Sequence, residues 1–216
     1  MAIIDSRTVL RVDATASLPA LAAGDEGTLA YDQVTDSCQR WTGTAWAPLN
    51  TGYLVMGAPA AGDTITAAVA TNFASNLSLP AGALAASRAL RLTARGVYGT
   101  NAVPPNLTLA FKAGTTVLCT TGSQLTTGAL TNAGWIVDVM LSCITAGVTG
   151  TVEVQGLANL STSGATAAQW DMENTGTITL DTTAAQTLQM ESTWSAAAAG
   201  TTITMRQFII SVLGTA

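Results

Sequence analysis

The sequence predicts an all-β protein: an antiparallel β-sandwich preceded by an extended N-terminal arm and a small β-hairpin module. Three observations predict it. Between Leu130 and Ser161, one period-2 register carries Trp135, Val137, Val139, Leu141 and Cys143. Beyond a turn at Gly147 and Gly150, Val152, Val154, Gly156, Ala158 and Leu160 repeat it. Arms of roughly ten residues are about twice the usual strand, a length that suits two sheets packed face to face. Short alternating segments divided by turns continue on both sides of this hairpin. No segment joins helix caps to an apolar 3.6-residue stripe; Ala184 to Met190 comes nearest and is too short. There is no internal repeat, which excludes solenoids and propellers.

Composition bounds the function. The chain has 216 residues, of which only 10% are charged, against roughly 25% in an ordinary soluble domain. About one residue in six is threonine, so the surface is built from Thr, Ser, Asn, Gln and Ala. Such a surface loses little on desolvation and suits extensive protein contact, as in a subunit of an assembly. The net charge is −5 and Lys112 is the only lysine. Phosphate binding needs clustered cations, so no nucleic-acid partner is expected. The absence of histidine removes imidazole acid/base chemistry, His-activated nucleophiles and His metal ligation together. No apolar run reaches the length of a membrane span and Met1 to Leu10 lacks a signal-peptide core, so no membrane insertion is expected and synthesis in a cytoplasm is.

In chain order, residues 1–23 hold one short apolar run (Ile3, Ile4, Val9, Leu10, Val12) and form an arm that orders only by docking on something else. Residues 24–50 read as two tight hairpins stacking the aromatics Tyr31, Trp41 and Trp46. Gly and Pro at short intervals make 51–63 a linker. From 64 to 216 the strands follow: Ile65 to Ala70, Phe73 to Leu79, and Leu90, Leu92, Ala94 and Tyr98 with Arg91, Thr93 and Arg95 on the opposite face. Leu107, Leu109 and Phe111 turn at Ala113 and Gly114 into Thr116 to Thr120. After the long hairpin come Ile178 to Leu180, Leu188 to Trp194 and Ile203 to Leu213.

Tyr31, Asp32, Thr35, Asp36, Trp41, Gly43, Thr44 and Trp46 resemble a "YD-x-x-T-(D/N)…W-x-G-T-x-W" module found near the attachment ends of tailed-bacteriophage fibres and other virion proteins. The competing reading is a minor hairpin stapled by aromatics in any β protein. Further on, LPAGAL…SRALRLTARGVYGT, LTLAFKAGTTVL, LTNAGWIVDVMLSCITAGVTGTVEVQG and DTTAAQTLQMESTWSAAAAGTTITMRQFIISVL look like a jelly-roll domain of tailed-phage structural proteins. The likeness spans roughly two thirds of the chain, in order. It implies an antiparallel jelly-roll β-sandwich over 64–216, a homotrimer, and a role in a virion assembled in the host cytoplasm.

Candidate chemistry is sparse. Asp171 and Glu173 beside Trp170 are the nearest carboxylate pair, and Asp138 and Glu153 could face each other across the long hairpin, but no substrate motif accompanies either. No Asp-x-Asp-x-Asp-Gly run marks a calcium loop. The expectation is therefore no catalytic, cofactor or metal residue. Ser161 to Thr177 reads as a long loop in which Trp170, with Asp171 and Glu173, either stacks on a glycan or packs against a strand or subunit. In the last strand, Phe208, Ile210 and Val212 form a second apolar register opposite Ile203, Met205, Ile209 and Leu213. That register fits a subunit interface, unless a bulge at Arg206 and Gln207 shifts it. Cys119 and Cys143 are expected as free buried thiols, with a disulfide or reactive thiol as the alternative. Taken with the resemblance, these readings imply a non-enzymatic capsid decoration (cement) protein contacting the major capsid protein. The alternative is a short tail-fibre or tail-tip protein that binds a host-surface glycan.

Overall fold

The structure, a computed structural model, describes residues 10–12, 22, 24, 29–32, 37–41, 44, 46–48, 63–79, 81–162, 167–174 and 176–213. The chain divides into two compact units, Met1–Thr51 and Gly52–Ala216.

The first unit is a four-stranded sheet in the order β1-β2-β3-β4, with β1 Leu10–Val12, β2 Leu29–Asp32, β3 Ser37–Trp41 and β4 Trp46–Pro48. The two antiparallel pairs are the expected hairpins: Tyr31 lies opposite Cys38, and Trp41 opposite Trp46. Leu10–Val12, within the stretch read as an arm, pairs in parallel with β2. Trp41 is buried, and its indole Nε1 donates to Ala22 O at 3.0 Å. The side chains of Tyr31 and Trp46, and the expected linker up to residue 62, lie outside the described residues.

The second unit is all-β and antiparallel. Its strands are β5 Asp63–Ile65, β6 Thr71–Leu79, β7 Ala89–Gly99, β8 Asn106–Ala113, β9 Thr116–Thr120, β10 Gln124–Leu125, β11 Ala133–Thr145, β12 Thr151–Ser161, β13 Ala167–Glu173, β14 Ile178–Thr179, β15 Gln186–Trp194 and β16 Thr202–Leu213. The hydrogen-bonded path is β5-β16-β7-β11-β12-β13-β9-β8-β15-β6, with β10 on β8 and β14 on β12. Two four-strand groups, β5-β16-β7-β11 and β6-β15-β8-β9, are joined through β12 and β13, an order compatible with a double-sheet jelly roll. The groups meet in the core, where Phe73 of β6 stacks on Trp135 of β11 with ring centroids 6.1 Å apart. The path nearly closes: Asp63 on β5 accepts from the amides of Ala74 (2.9 Å) and Ser75 (3.0 Å) on β6. Those donors sit where β6 loses register with β15, so the carboxylate satisfies an interrupted ladder.

Alternation dictates the core. Trp135, Val137, Val139, Leu141 and Cys143 face Leu160, Ala158, Gly156, Val154 and Val152 in register, and all but Gly156 are buried hydrophobics. Each large apolar side chain so buried contributes about 1.5–3 kcal/mol. Two glycines permit close approach. A Cβ on Gly96 would lie 1.9 Å from Thr204 O and 2.8 Å from Trp135 Nε1. One on Gly156 would lie 2.5 Å from Asp138 O. Over Gly96 the Trp135 indole donates to Val97 O and Thr204 O, both at 3.2 Å.

The turn at Asp181 is held by side chains. Asp181 Oδ1 accepts from Thr183 N (2.9 Å) and Thr183 Oγ1 (2.6 Å), Thr182 Oγ1 accepts from Gly147 N (2.9 Å), and Gln186 Nε2 donates to Asp181 O (2.6 Å). The bonds from Thr183 hold the Asp181 carboxyl below its ordinary pKa.

Three expectations are corrected. The stretch read as one long loop contains β13, and Trp170 sits on it, buried against the core. The period-2 burial of Trp170 and Met172 was hidden by the polar run before them. Phe208 and Ile210 are core residues, each at most 1% exposed, rather than a subunit interface. The register slips between Met205 and Gln207, so Ile203, Met205, Phe208 and Ile210 all point inward and Ile209 outward. The side chain of Val212 lies outside the described residues. Asp138 and Glu153 do not face each other: Asp138 is opposite Leu157, and Glu153 opposite Ser142.

Candidate functional site

The outward face of β7, β11, β12 and β13 collects most of the second unit's exposed charge. Register fixes its rows. Arg95, Ile136, Asn159 and Gln169 form one; Thr93, Asp138, Leu157 and Asp171 the next; Arg91, Met140, Gln155 and Glu173 the third; Ala89, Ser142 and Glu153 the last. These are the non-core positions of strands whose alternate residues are buried, so the pleat alone turns them outward.

Across these rows the chemistry is graded. On β7 stand Arg91 and Arg95, with Arg206 exposed at the bulge of β16 beside Arg95. On β12 and β13 stand Glu153, Asp171 and Glu173, all exposed. Between them Met140 and Leu157 leave 39% and 38% of their surface open. A cavity of about 600 Å3 runs over this middle ground, lined by Ile136, Asp138, Met140, Gln155, Leu157, Asn159, Asp171 and Glu173 among others. Arg91 Nε donates to both oxygens of Asp138 (3.0 and 3.1 Å), and its NH2 group bonds Oδ2 as well. That hydrogen bonding, then the carboxylate's charge, raises the guanidinium pKa above its ordinary value. Among the described residues, Arg95, Glu153, Asp171 and Glu173 have no ion-pair partner.

Asp171 and Glu173 therefore share a surface as expected, whereas Trp170 points the other way into the core. No sugar ring can stack on it there. The arginine column is the part that sequence reasoning missed. The alternation of Arg91, Thr93 and Arg95 was visible, but joining it to Asp171 and Glu173 required seeing that residues 167–173 are a strand.

Elsewhere the polar groups serve the fold. Lys112 Nζ meets Glu191 Oε2 at 2.7 Å, with side chains 14% and 15% exposed. Cys119 and Cys143 are free and buried. Burial pushes the Cys119 thiol up to about 12 and raises Cys143, which disfavours the reactive thiolate. Tyr98, pushed up to about 12 by burial, donates its hydroxyl to Ser161 O. Among the described residues no cluster of three or more Cys, Asp or Glu is placed to hold a metal ion.

The second unit is an antiparallel β-sandwich whose outward β7–β13 face is graded in charge and partly apolar. No family model matches the chain, and neither a curated protein nor a solved structure matches it.

Proposed function

We propose that this protein is a non-enzymatic structural component of a tailed-phage virion, a capsid decoration protein. Its N-terminal region attaches it to the major capsid protein, and the β-sandwich faces outward. The observation that carries this reading is the division at residue 51. A small aromatic-bearing sheet precedes a larger antiparallel unit, in the order implied by the resemblance, and the surface is too poor in charge for most other partners. The homotrimer rests on the resemblance alone, since Phe208 and Ile210 belong to the core. The test is to mix purified full-length protein with empty capsids and, separately, with host cells. Sedimentation with capsids, lost on deletion of residues 1–51, is the expected result; absence of capsid binding contradicts it.

The groove over β11–β13 favours one second reading. Gln155, Asn159, Asp171 and Glu173 around Leu157 combine hydroxyl-binding groups with an apolar floor, as a host-surface glycan would require of a tail-fibre protein. Binding to host cells that Asp171→Asn with Glu173→Gln abolishes would support it over capsid decoration.

A further inference from the structure

We infer that the outward face of β7, β11, β12 and β13 is a two-fold contact surface whose occupant is a second copy of this chain. The inference rests on how scarce charge is arranged. Arg91 and Arg95 stand on β7, and Asp171 and Glu173 stand on β13, three strands away. At about 4.8 Å per strand the columns are about 14 Å apart, beyond the screening length of about 8 Å at physiological salt. Within one copy the two columns leave each other unneutralised: Arg91 is held by Asp138, while Arg95, Asp171 and Glu173 have no ion-pair partner among the described residues. Between them lie the half-open Met140 and Leu157.

This pattern is self-complementary about one axis only. Turning a second copy by half a revolution about a line along the strands, midway between β11 and β12, carries its β7 over the first copy's β13 and leaves each row in place. The partner's Arg91 then meets the row of Glu173. The partner's Arg95 meets the row of Gln169, one step from Asp171, and the same contacts recur in reverse, as an isologous contact requires. The partner's Met140 then lies over Gln155, one row from Leu157, and its Leu157 over Asp138, one row from Met140, so the four apolar side chains surround the axis, where the adaptable thioether suits an uneven contact. A half-turn about a line across the strands would set arginine on arginine and carboxylate on carboxylate.

Other occupants match less of the face. A polyanion meets the carboxylate column, a polycation meets the arginine column, and a neutral glycan leaves the arginines unused. From β7 to β13, four strands at about 4.8 Å and four rows at about 6.8 Å give on the order of 500 Å2 per copy. That is the low end for a specific interface, so the pairing is reversible and concentration-dependent.

Sedimentation equilibrium on the full-length chain tests it with two variants, Arg95→Glu and Asp171→Arg. Both sites are exposed, and unchanged melting temperatures will show that the fold is intact. Wild type should associate in even numbers, and the association should weaken at least several-fold from low to high salt. Neither variant alone should form these even-numbered pairs. An equimolar mixture of the two should, because the glutamate introduced at 95 in one copy then lies beside the arginine introduced at 171 in the other, while the other half of the contact keeps its native Arg95 and Asp171. A wild type monomeric at every concentration, an odd-numbered assembly indifferent to both variants, or a mixture that stays apart would each overturn the proposal.

Discussion

The two outer walls of the β-sandwich handle charge in opposite ways. On the β8–β15 wall Lys112 and Glu191 pair at 2.7 Å with side chains about one-seventh exposed, so the charges are spent inside the subunit. On the β7–β13 wall Arg91 and Asp138 pair with side chains 54% and 34% exposed, and Arg95, Asp171 and Glu173 remain open. With so few charges in the chain, the first wall uses them to fix strand pairing, while the second keeps them available for contact. Where a charge sits on the pleat matters less than whether its partner lies within the same copy.

The largest effect expected on either wall comes from the core beneath the open one. Phe208→Ala should cost about 3–5 kcal/mol in denaturant unfolding, and Ile209→Ala, on the outward side of the same strand, well under half of that. Equal effects would mean that the bulge does not bring Phe208 inward. Gly96→Ala belongs with Phe208, because its Cβ has no room beside Thr204 O. A variant that melts as wild type does would contradict that close approach.

The walls themselves should differ next. Lys112→Ala strands a largely covered carboxylate and should cost about 2 kcal/mol, between the values for exposed and fully buried pairs. Arg91→Ala should leave the melting temperature nearly unchanged. A reversal of that order would break the distinction between the walls.

Smaller effects sharpen the picture of the interior. In native protein Cys119 and Cys143 should resist alkylation, and in denaturant both should be modified without prior reduction, as read by mass spectrometry. Asp181 gives a pH effect of known sign. Its folded pKa lies below the ordinary 3.8, so its contribution is present above that value and fades as pH falls through the folded pKa. In Asp181→Asn the acid side of the melting-temperature profile should be shallower than in wild type.

The sequence made legible whatever obeys strict alternation. The β11–β12 hairpin and the arginine-bearing β7 stand where the period-2 pattern puts them. A single extra residue defeats that logic: Arg206 shifts β16 by one position and converts an apparent surface strip of Phe208 and Ile210 into core. β13 was obscured because Ala167, Ala168 and Gln169 are poor strand formers that follow a polar run, and it is held by pairing with β12. The open wall was illegible for the same reason. Its two columns are over seventy residues apart in sequence, and only the register of four strands brings them onto one face.

Carboxyl labelling at low and high protein concentration tests the contrast between the walls most directly. Asp171 and Glu173 should be modified when the protein is dilute and protected when it is concentrated, with Glu191 unreactive in both. Equal labelling of Asp171 and Glu173 at both concentrations, or a Glu191 as reactive as they are, would contradict it.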